Sequence, residues 1–332
     1  MEADGRPFLG LVSMRHLESL LGRDRADIRR VANSAGRFYR PFDLRKTAGR
    51  GKWRHIDNPV GELKLYQSRI LERMFHDFIF PETMIGAVPG RSIKDNAALH
   101  LRQPMVVALD LRDCFPRISD REVYRVFTEV LGCSAEISAL LTKLTTFQHR
   151  LPQGAPTSPA IANLSLLGLH DELIALAKSY GLNCSFYIDD IVFSGARALE
   201  VIERAIRLIQ SHGHAVRRDK IKRMPIAGRQ VVTGVLVNDG PSVMKDRRRV
   251  LRSRMSEIAH DGVVAEHELR SILGEVVWVS WINSAQGDAF RHATEELQRL
   301  PTFAGIRIPK GEVRPCSSFG SHKRAQATER AS

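Results

Sequence analysis

The chain has 332 residues, 43% of them hydrophobic, with 50 Lys and Arg against 37 Asp and Glu, a net charge of +13. This is ordinary globular composition, with enough chain for one large domain or two to three packed subdomains. No apolar run approaches the roughly 18 residues of a membrane span, and the basic excess points to a polyanionic partner, most simply nucleic acid. The bland reading of that excess is a soluble protein that happens to be basic.

Cys114, Cys133, Cys184 and Cys316 form no CxxC pair, so neither a zinc site nor a disulfide framework is expected. The opening MEADGRPFLGLVSMRH lacks a basic segment followed by a signal-peptide core. A soluble protein in a reducing cytoplasm is the expectation.

Residues 12 to 35 and 62 to 80 read as helices, the second with Leu65, Ile70, Met74, Phe75 and Phe78 as its stripe and Pro81 as its stop. MVVALD (105–110) reads as a strand ending on an aspartate. SDREVYRVFTEVL opens with a capping box, Ser119 to Glu122. A long buried helix is predicted from Ser158 as N-cap, with Pro159 at its first position and Gly181 past its end.

SFYI (185–188) and IVFS (191–194) are two short strands with Asp189 and Asp190 at the bend. ALEVIERAIRLIQSHG is an amphipathic helix, and VVTGVLVNDG reads as one strand closed by a turn. KDRRRVLRSRM and EHELRSILGEVVWVSWI are helical, and the last twenty residues are polar and expected to fray. The order implies an α+β fold with an antiparallel sheet centred on the aspartate hairpin.

Asp110 ends a strand, and Asp189 and Asp190 sit at a hairpin bend. If the strands are neighbours, three carboxylates meet at one sheet edge and repel one another. A divalent cation relieves that repulsion, and oxygen ligands without His or Cys favour magnesium or manganese. Two such ions are the usual machinery of in-line phosphoryl transfer. Aspartate is also ordinary turn chemistry, so the hairpin alone leaves both readings open.

Taken together, these segments resemble bacterial reverse transcriptases, the retron type most closely. Tyr187-Ile188-Asp189-Asp190 is similar to the family's YxDD hairpin, Asp110 in LDLRDCFPRI to its first aspartate, and LPQGAPTSPAIANL (151–164) to its loop and helix. NAALH (96–100) and VTG (232–234) are similar to retron-type signatures. A PQGG-type loop and a long maturase region, as in group II intron enzymes, are lacking, and Ser158-Pro159 stands where diversity-generating enzymes carry SQ. The resemblance runs from about residue 50 to about residue 295. Two positions depart from it: Ile188 where YADD is commoner, and Cys114-Phe115 where FF is commoner.

The resemblance implies a right-hand polymerase with N-terminal helices and fingers over 1–104, the catalytic palm with part of the fingers over 105–240, helical thumb over 241–312 and a flexible basic and polar tail over 313–332. It implies that Asp110, Asp189 and Asp190, helped by the Leu111 carbonyl, hold two magnesium ions, with manganese as the substitute. Phe115 would exclude a ribose 2′-OH, or simply be a core Phe. Gln153 and Gly154 would line the nucleotide and template pocket, the glycine allowing close backbone approach. Tyr187 would pack beside the primer end or within the sheet.

Lys220 would protonate pyrophosphate, or be a solvated lysine. Lys52, Arg54, Lys64 and Arg91 would meet the triphosphate, Arg54 foremost, with Lys64 and Arg91 alternatively gripping template phosphate. Arg247, Arg248, Arg249, Arg252 and Arg254 would grip a duplex or structured RNA, although only some can face it. The implied reaction is RNA-templated DNA synthesis from dNTPs. In a retron enzyme it copies a cognate structured noncoding RNA, starts from an internal 2′-OH, and serves phage defence with a separate effector protein. The alternatives are a group II-like or abortive-infection-like reverse transcriptase with other priming, and a non-catalytic RNA-binding relative.

Overall fold

The structure is a computed structural model that describes residues 10–45, 53–76, 78–261 and 265–298. Lys52 and the tail over 313–332 lie outside the described residues. Ser13 caps α1 (Met14–Leu21), and Gly22, at φ 59, ends it. Asp24 then caps α2 (Arg25–Asn33) by accepting from the Asp27 amide. The expected single helix over 12–35 is therefore two, broken by a left-handed residue followed by a fresh cap.

An antiparallel hairpin follows, β1 (Tyr39–Arg45) and β2 (Trp53–Pro59). α3 (Gly61–Arg73) stops short of residue 80, and Phe75, Phe78 and Phe80 are buried on irregular backbone instead. Then come α4 (Ile93–Ala98), β3 (Met105–Asp110), α5 (Cys114–Arg117) and α6 (Asp120–Arg125). The Ser119–Glu122 capping box is present in full at the start of α6, which continues as a π-helical turn, Val126–Val130.

Next are α7 (Ala135–Thr145), α8 (Ser158–Ser165) and α9 (Leu167–Ser179), the last two replacing the predicted long helix with a break at Leu166. The chain continues through β4 (Asn183–Tyr187), β5 (Asp190–Ser194), α10 (Ile202–Ser211), β6 (Lys222–Pro225), β7 (Val231–Val232) and β8 (Val235–Leu236). VVTGVLV is thus a small hairpin rather than one strand, because Thr233 (φ 45) and Gly234 (φ 85) turn the backbone. α11 (Lys245–Asp261), α12 (Glu266–Ile282) and α13 (Ser284–Gln298) complete the described chain. No single described helix is long and apolar enough to cross a membrane.

The chain forms two compact units. Within the described residues, one draws on the chain up to Ile79 and on Asp113–Ser165, the other on Phe80–Arg112 and on the chain from Leu166. In the first, α1 packs on α3 and α2 on α7 around fully buried Leu17, Leu21, Ile28, Leu63, Ile70 and Leu141. Buried Gln67 donates to the Leu144 carbonyl (2.9 Å) and the Tyr39 hydroxyl (3.0 Å).

The second unit holds a four-stranded antiparallel sheet in the order β4-β5-β3-β6. Residues paired across strands share a face, and each strand alternates. One face carries Val107, Leu109, Cys184, Phe186, Ile191 and Phe193, all buried. The other has two parts. Val106, Val192 and Met224 join a core with Leu251, Met255, Leu269, Ile272, Val276 and Phe290 of the last three helices. Beyond them, toward the strand ends, this face turns polar.

Candidate active site

That polar end carries the carboxylates. Register sets Asp110 of β3 directly across from Asp190 of β5, and Asp190 across from Tyr187 of β4. Only Ile188 and Asp189 join β4 to β5. Ile188 is at φ 59, strained for a β-branched residue, so the turn is held from outside. The Asp189 carbonyl accepts from the Leu111 amide at 2.9 Å, and the Asp110 carbonyl from the Arg217 amide at 2.9 Å. Residues 83–86 run beside β4: the Phe186 amide donates to the Thr83 carbonyl (2.8 Å) and the Ile85 amide to the Phe186 carbonyl (2.7 Å). At Gly86 a Cβ would meet the Ile188 nitrogen at 2.7 Å, so only glycine lets this segment lie against the turn.

The electrostatics are those of a crowded anionic site. Burial first, then Asp189 and Asp110, push the Asp190 carboxyl up to about 6, with Lys222 and Lys220 opposing. Burial and Asp190 raise the Tyr187 phenol. Asp110 Oδ2 is buried and makes no hydrogen bond. Arg217 Nε at 3.2 Å and Lys220 Nζ at 3.5 Å hold it by charge instead. Arg217 and Lys222 are site residues that sequence reasoning missed. Both lie in the RRDKIK run that yielded Lys220, and the pairing of Lys222 with Ala108, two residues from Asp110, is a register fact no composition reveals.

These carboxylates suit a hard divalent cation: the donors are oxygens, and one is buried without a hydrogen-bond donor. Among the described residues no group of three His, Cys, Asp or Glu side chains is close enough to cage a metal alone. An ion of the magnesium type is commonly held by one or two carboxylates, with substrate phosphates completing the shell.

The remaining predicted residues fall as follows. Arg91 is half-buried, and its guanidinium donates to the carbonyls of Phe80 (2.9 Å), Met84 (2.6 Å) and Pro81. It clamps the loop that leads to Gly86. In the first unit, Arg54 is exposed on β2 across from Leu44, Lys64 is exposed on α3, and Phe115 is half-buried on α5. The Gln153 carbonyl accepts from the Asp57 amide at 2.8 Å. Gly154, at φ 127, would place a Cβ 2.7 Å from Ile56, so its glycine requirement comes from packing on β2.

On α11, Arg247 donates to Glu275 (2.8 Å) and stacks on Trp278 at 3.9 Å. Arg254 pairs with Glu275 at 3.5 Å, and Arg248 donates to the Val243 carbonyl at 3.2 Å. Arg252 lies 5.6 Å from the Phe290 ring centre, and Arg249 is 76% exposed with Asp246 at 3.6 Å.

Comparison with known proteins bears on this geometry. Residues 44–228 match the family described as reverse transcriptase (RNA-dependent DNA polymerase). The retron Mx65 reverse transcriptase of Myxococcus xanthus is 33% identical over 273 residues, which cover 76% of this chain and 63% of that protein. The retron Se72 reverse transcriptase of Salmonella heidelberg is 27% identical, covering 90% and 83%. The retron Ec86 reverse transcriptase of Escherichia coli is 27% identical, covering 88% and 91%.

Proposed function

Since the chain belongs to the reverse transcriptase (RNA-dependent DNA polymerase) family, in its bacterial retron type with the right-hand polymerase fold class, we propose that it copies a structured noncoding RNA into single-stranded DNA. The observation that carries this reading is the carboxylate row: Asp110 across from Asp190, with Asp189 in the adjoining turn.

Asp110, Asp189 and Asp190 would hold the divalent ions, with the Leu111 carbonyl assisting. Bound there, two magnesium ions, or manganese in their place, would activate the primer hydroxyl and neutralise the nucleotide triphosphate. Arg217 and Lys220 hold the Asp110 carboxylate until phosphates arrive, and Lys220 is then placed to give a proton to the departing pyrophosphate. Arg54 and Lys64 of the fingers meet triphosphate or template, Gln153 and Gly154 line the nucleotide pocket, and Phe115 excludes a 2′-OH. Tyr187, beside Asp190 on the same face, packs against the primer end. Arg91 acts on the loop behind the hairpin, given its three backbone acceptors.

The relatives are named retron reverse transcriptases, and for this chain we propose the retron setting: an internal RNA 2′-OH as primer, a branched RNA–DNA product, a separate effector protein, a role in phage defence and a cytoplasmic location. The test is primer extension with purified protein, an RNA template, dNTPs and magnesium. Wild type is expected to make DNA, and Asp189→Asn to lose at least about 1,000-fold. Expression with native flanking DNA then tests priming: the DNA product should shift in mobility on 2′,5′-debranching. An unbranched product would retain the polymerase and remove the 2′-OH start.

A further inference from the structure

The two retron-type signatures, NAALH and VTG, meet inside the second unit. His100, Asn96, Ser185 and Ser194 are each 0% exposed. His100 Nδ1 is 2.7 Å from Ser194 Oγ, and Nε2 is 2.8 Å from Ser185 Oγ. Ser185 Oγ donates to Asn96 Oδ1 at 2.7 Å. Asn96 Nδ2 donates to Thr233 Oγ1 at 3.4 Å, and Thr233 Oγ1 to the Ile93 carbonyl at 3.4 Å.

The chain of bonds has one consistent direction. Because Ser185 gives its proton to Asn96, it must accept from His100 Nε2–H. His100 Nδ1 must then accept from Ser194. Each hydroxyl donates once and the imidazole is neutral, as burial also requires, since it lowers the His100 pKa to about 4. A fully satisfied buried network rigidifies what it joins.

What it joins is the catalytic hairpin. Ser185 stands two residues before Tyr187 on the same face of β4, about 7 Å along the strand. Ser194 stands on β5 on the face that carries Asp190, across from Val106 of β3. α4 supplies Asn96 and is itself tied down by Lys94 Nζ, which donates to the Trp281 carbonyl at 2.9 Å. The network therefore lies on the carboxylate face of the sheet, with Ser185 across from core Val192 and Ser194 across from core Val106, two and four residues along the strands from the Tyr187–Asp190 pair.

We propose that Asn96, His100, Ser185 and Ser194 are positioning residues that set the catalytic hairpin by bracing its two strands, and that the NAALH signature acts inside the protein rather than by touching RNA. This rests on the polymerase reading above. Thr233, half-exposed at the β7–β8 turn, is the outer end of the same brace.

The test is steady-state extension of oligo(dT) on poly(rA), which needs no cognate RNA, for wild type, Ser185→Ala, Ser194→Ala and His100→Asn. RNA binding and thermal melting are measured on the same proteins. The expected result is a fall in kcat of tenfold or more for His100→Asn and Ser185→Ala, with KM for dTTP and Kd for RNA within twofold of wild type. Ser194→Ala and Ser185→Ala remove one oxygen each, so they keep the test open if His100→Asn fails to fold. Weaker RNA binding with unchanged kcat on poly(rA) would overturn the proposal in favour of RNA contact. Lower melting temperatures with unchanged kcat would reduce the network to core packing. An inactive wild type would remove the polymerase reading and the proposal with it, whereas an active wild type with unaltered variants removes the proposal alone.

Discussion

Arg217 Nε stands 3.2 Å from Asp110 Oδ2, in contact by charge without hydrogen-bond geometry. A guanidinium beside that carboxylate supplies the positive charge that a divalent ion would supply in the proposed working site. The two positive charges would therefore compete for one oxygen. Arg217→Gln is expected to tighten binding of manganese to the protein without nucleic acid by about fivefold. That is about 1 kcal/mol for a partly exposed pair. Electron paramagnetic resonance titration reads this directly. Unchanged affinity would mean that Arg217 does not oppose the ion.

Asp190 and His100 give the free protein two opposing pH slopes. Asp190 titrates near 6 in the folded chain, above the ordinary aspartate value. Between about pH 4 and 6 the folded state therefore binds more protons at this group than the unfolded state, and the stability contribution falls as pH rises. The penalty is complete above pH 6 and amounts to about 3 kcal/mol. His100 is the reverse. Its folded value near 4 lies below the ordinary histidine value, so the unfolded state takes up the proton first and stability is lost as pH falls from about 6.5 to 4. Asp190→Asn in chelator should therefore raise stability at pH 7.5 by up to about 3 kcal/mol while abolishing synthesis. The gain should vanish by pH 4. His100→Asn should lose the acid-side fall. Denaturant titrations at several pH values check both signs.

Much of this site was legible in the chain because it is local. MVVALD is β3 to the residue, and the capping box at Ser119 forms as read. The bend between SFYI and IVFS is where expected, although β4 and β5 run 183–187 and 190–194. What local pattern could not supply is long-range. The partners of Asp110 come from residues 217 and 220, and those of His100 from 185 and 194. β1 and β2 were missed because Phe42, Leu44 and Trp53 are exposed, leaving no buried alternation to read. The helix over 62–80 was overrun because phenylalanines in irregular core backbone mimic a helical stripe.

Gly86 tests whether the turn is held from outside. An alanine Cβ would meet the Ile188 nitrogen at 2.7 Å and the Tyr187 carbonyl carbon at 2.8 Å, both backbone atoms. Neither can swing away as a side-chain end could, so the turn or the 83–86 segment must move. Gly86→Ala is expected to cost about 1–3 kcal/mol of stability and to lower kcat at least tenfold, as misplacement by about 1 Å costs on the order of 100-fold. Primer extension beside thermal melting measures both. Wild-type kcat would show that the hairpin tolerates displacement.

The arginines of α11 separate into two roles. Arg247 stacks on Trp278 and shares Glu275 with Arg254, so these side chains tie α11 to α12. Among the described residues Arg249 pairs with Asp246, one helical turn earlier on the same helix, at 3.6 Å. An exposed arginine that neutralises one phosphate releases about one counterion, so removing it should flatten the salt dependence of binding by about 0.7–0.9 in log–log slope. Arg249→Ala is therefore expected to reduce that slope on an RNA–DNA duplex while leaving the melting temperature unchanged. Arg247→Ala is expected to do the opposite: an unchanged slope, with a stability loss of about 1 kcal/mol from the stacking and the partly exposed ion pair. Fluorescence anisotropy across salt concentrations, paired with thermal melting, distinguishes the two. Equal slopes for wild type and Arg249→Ala would place the duplex on another surface of the helix, since an arginine 76% exposed would then touch no phosphate.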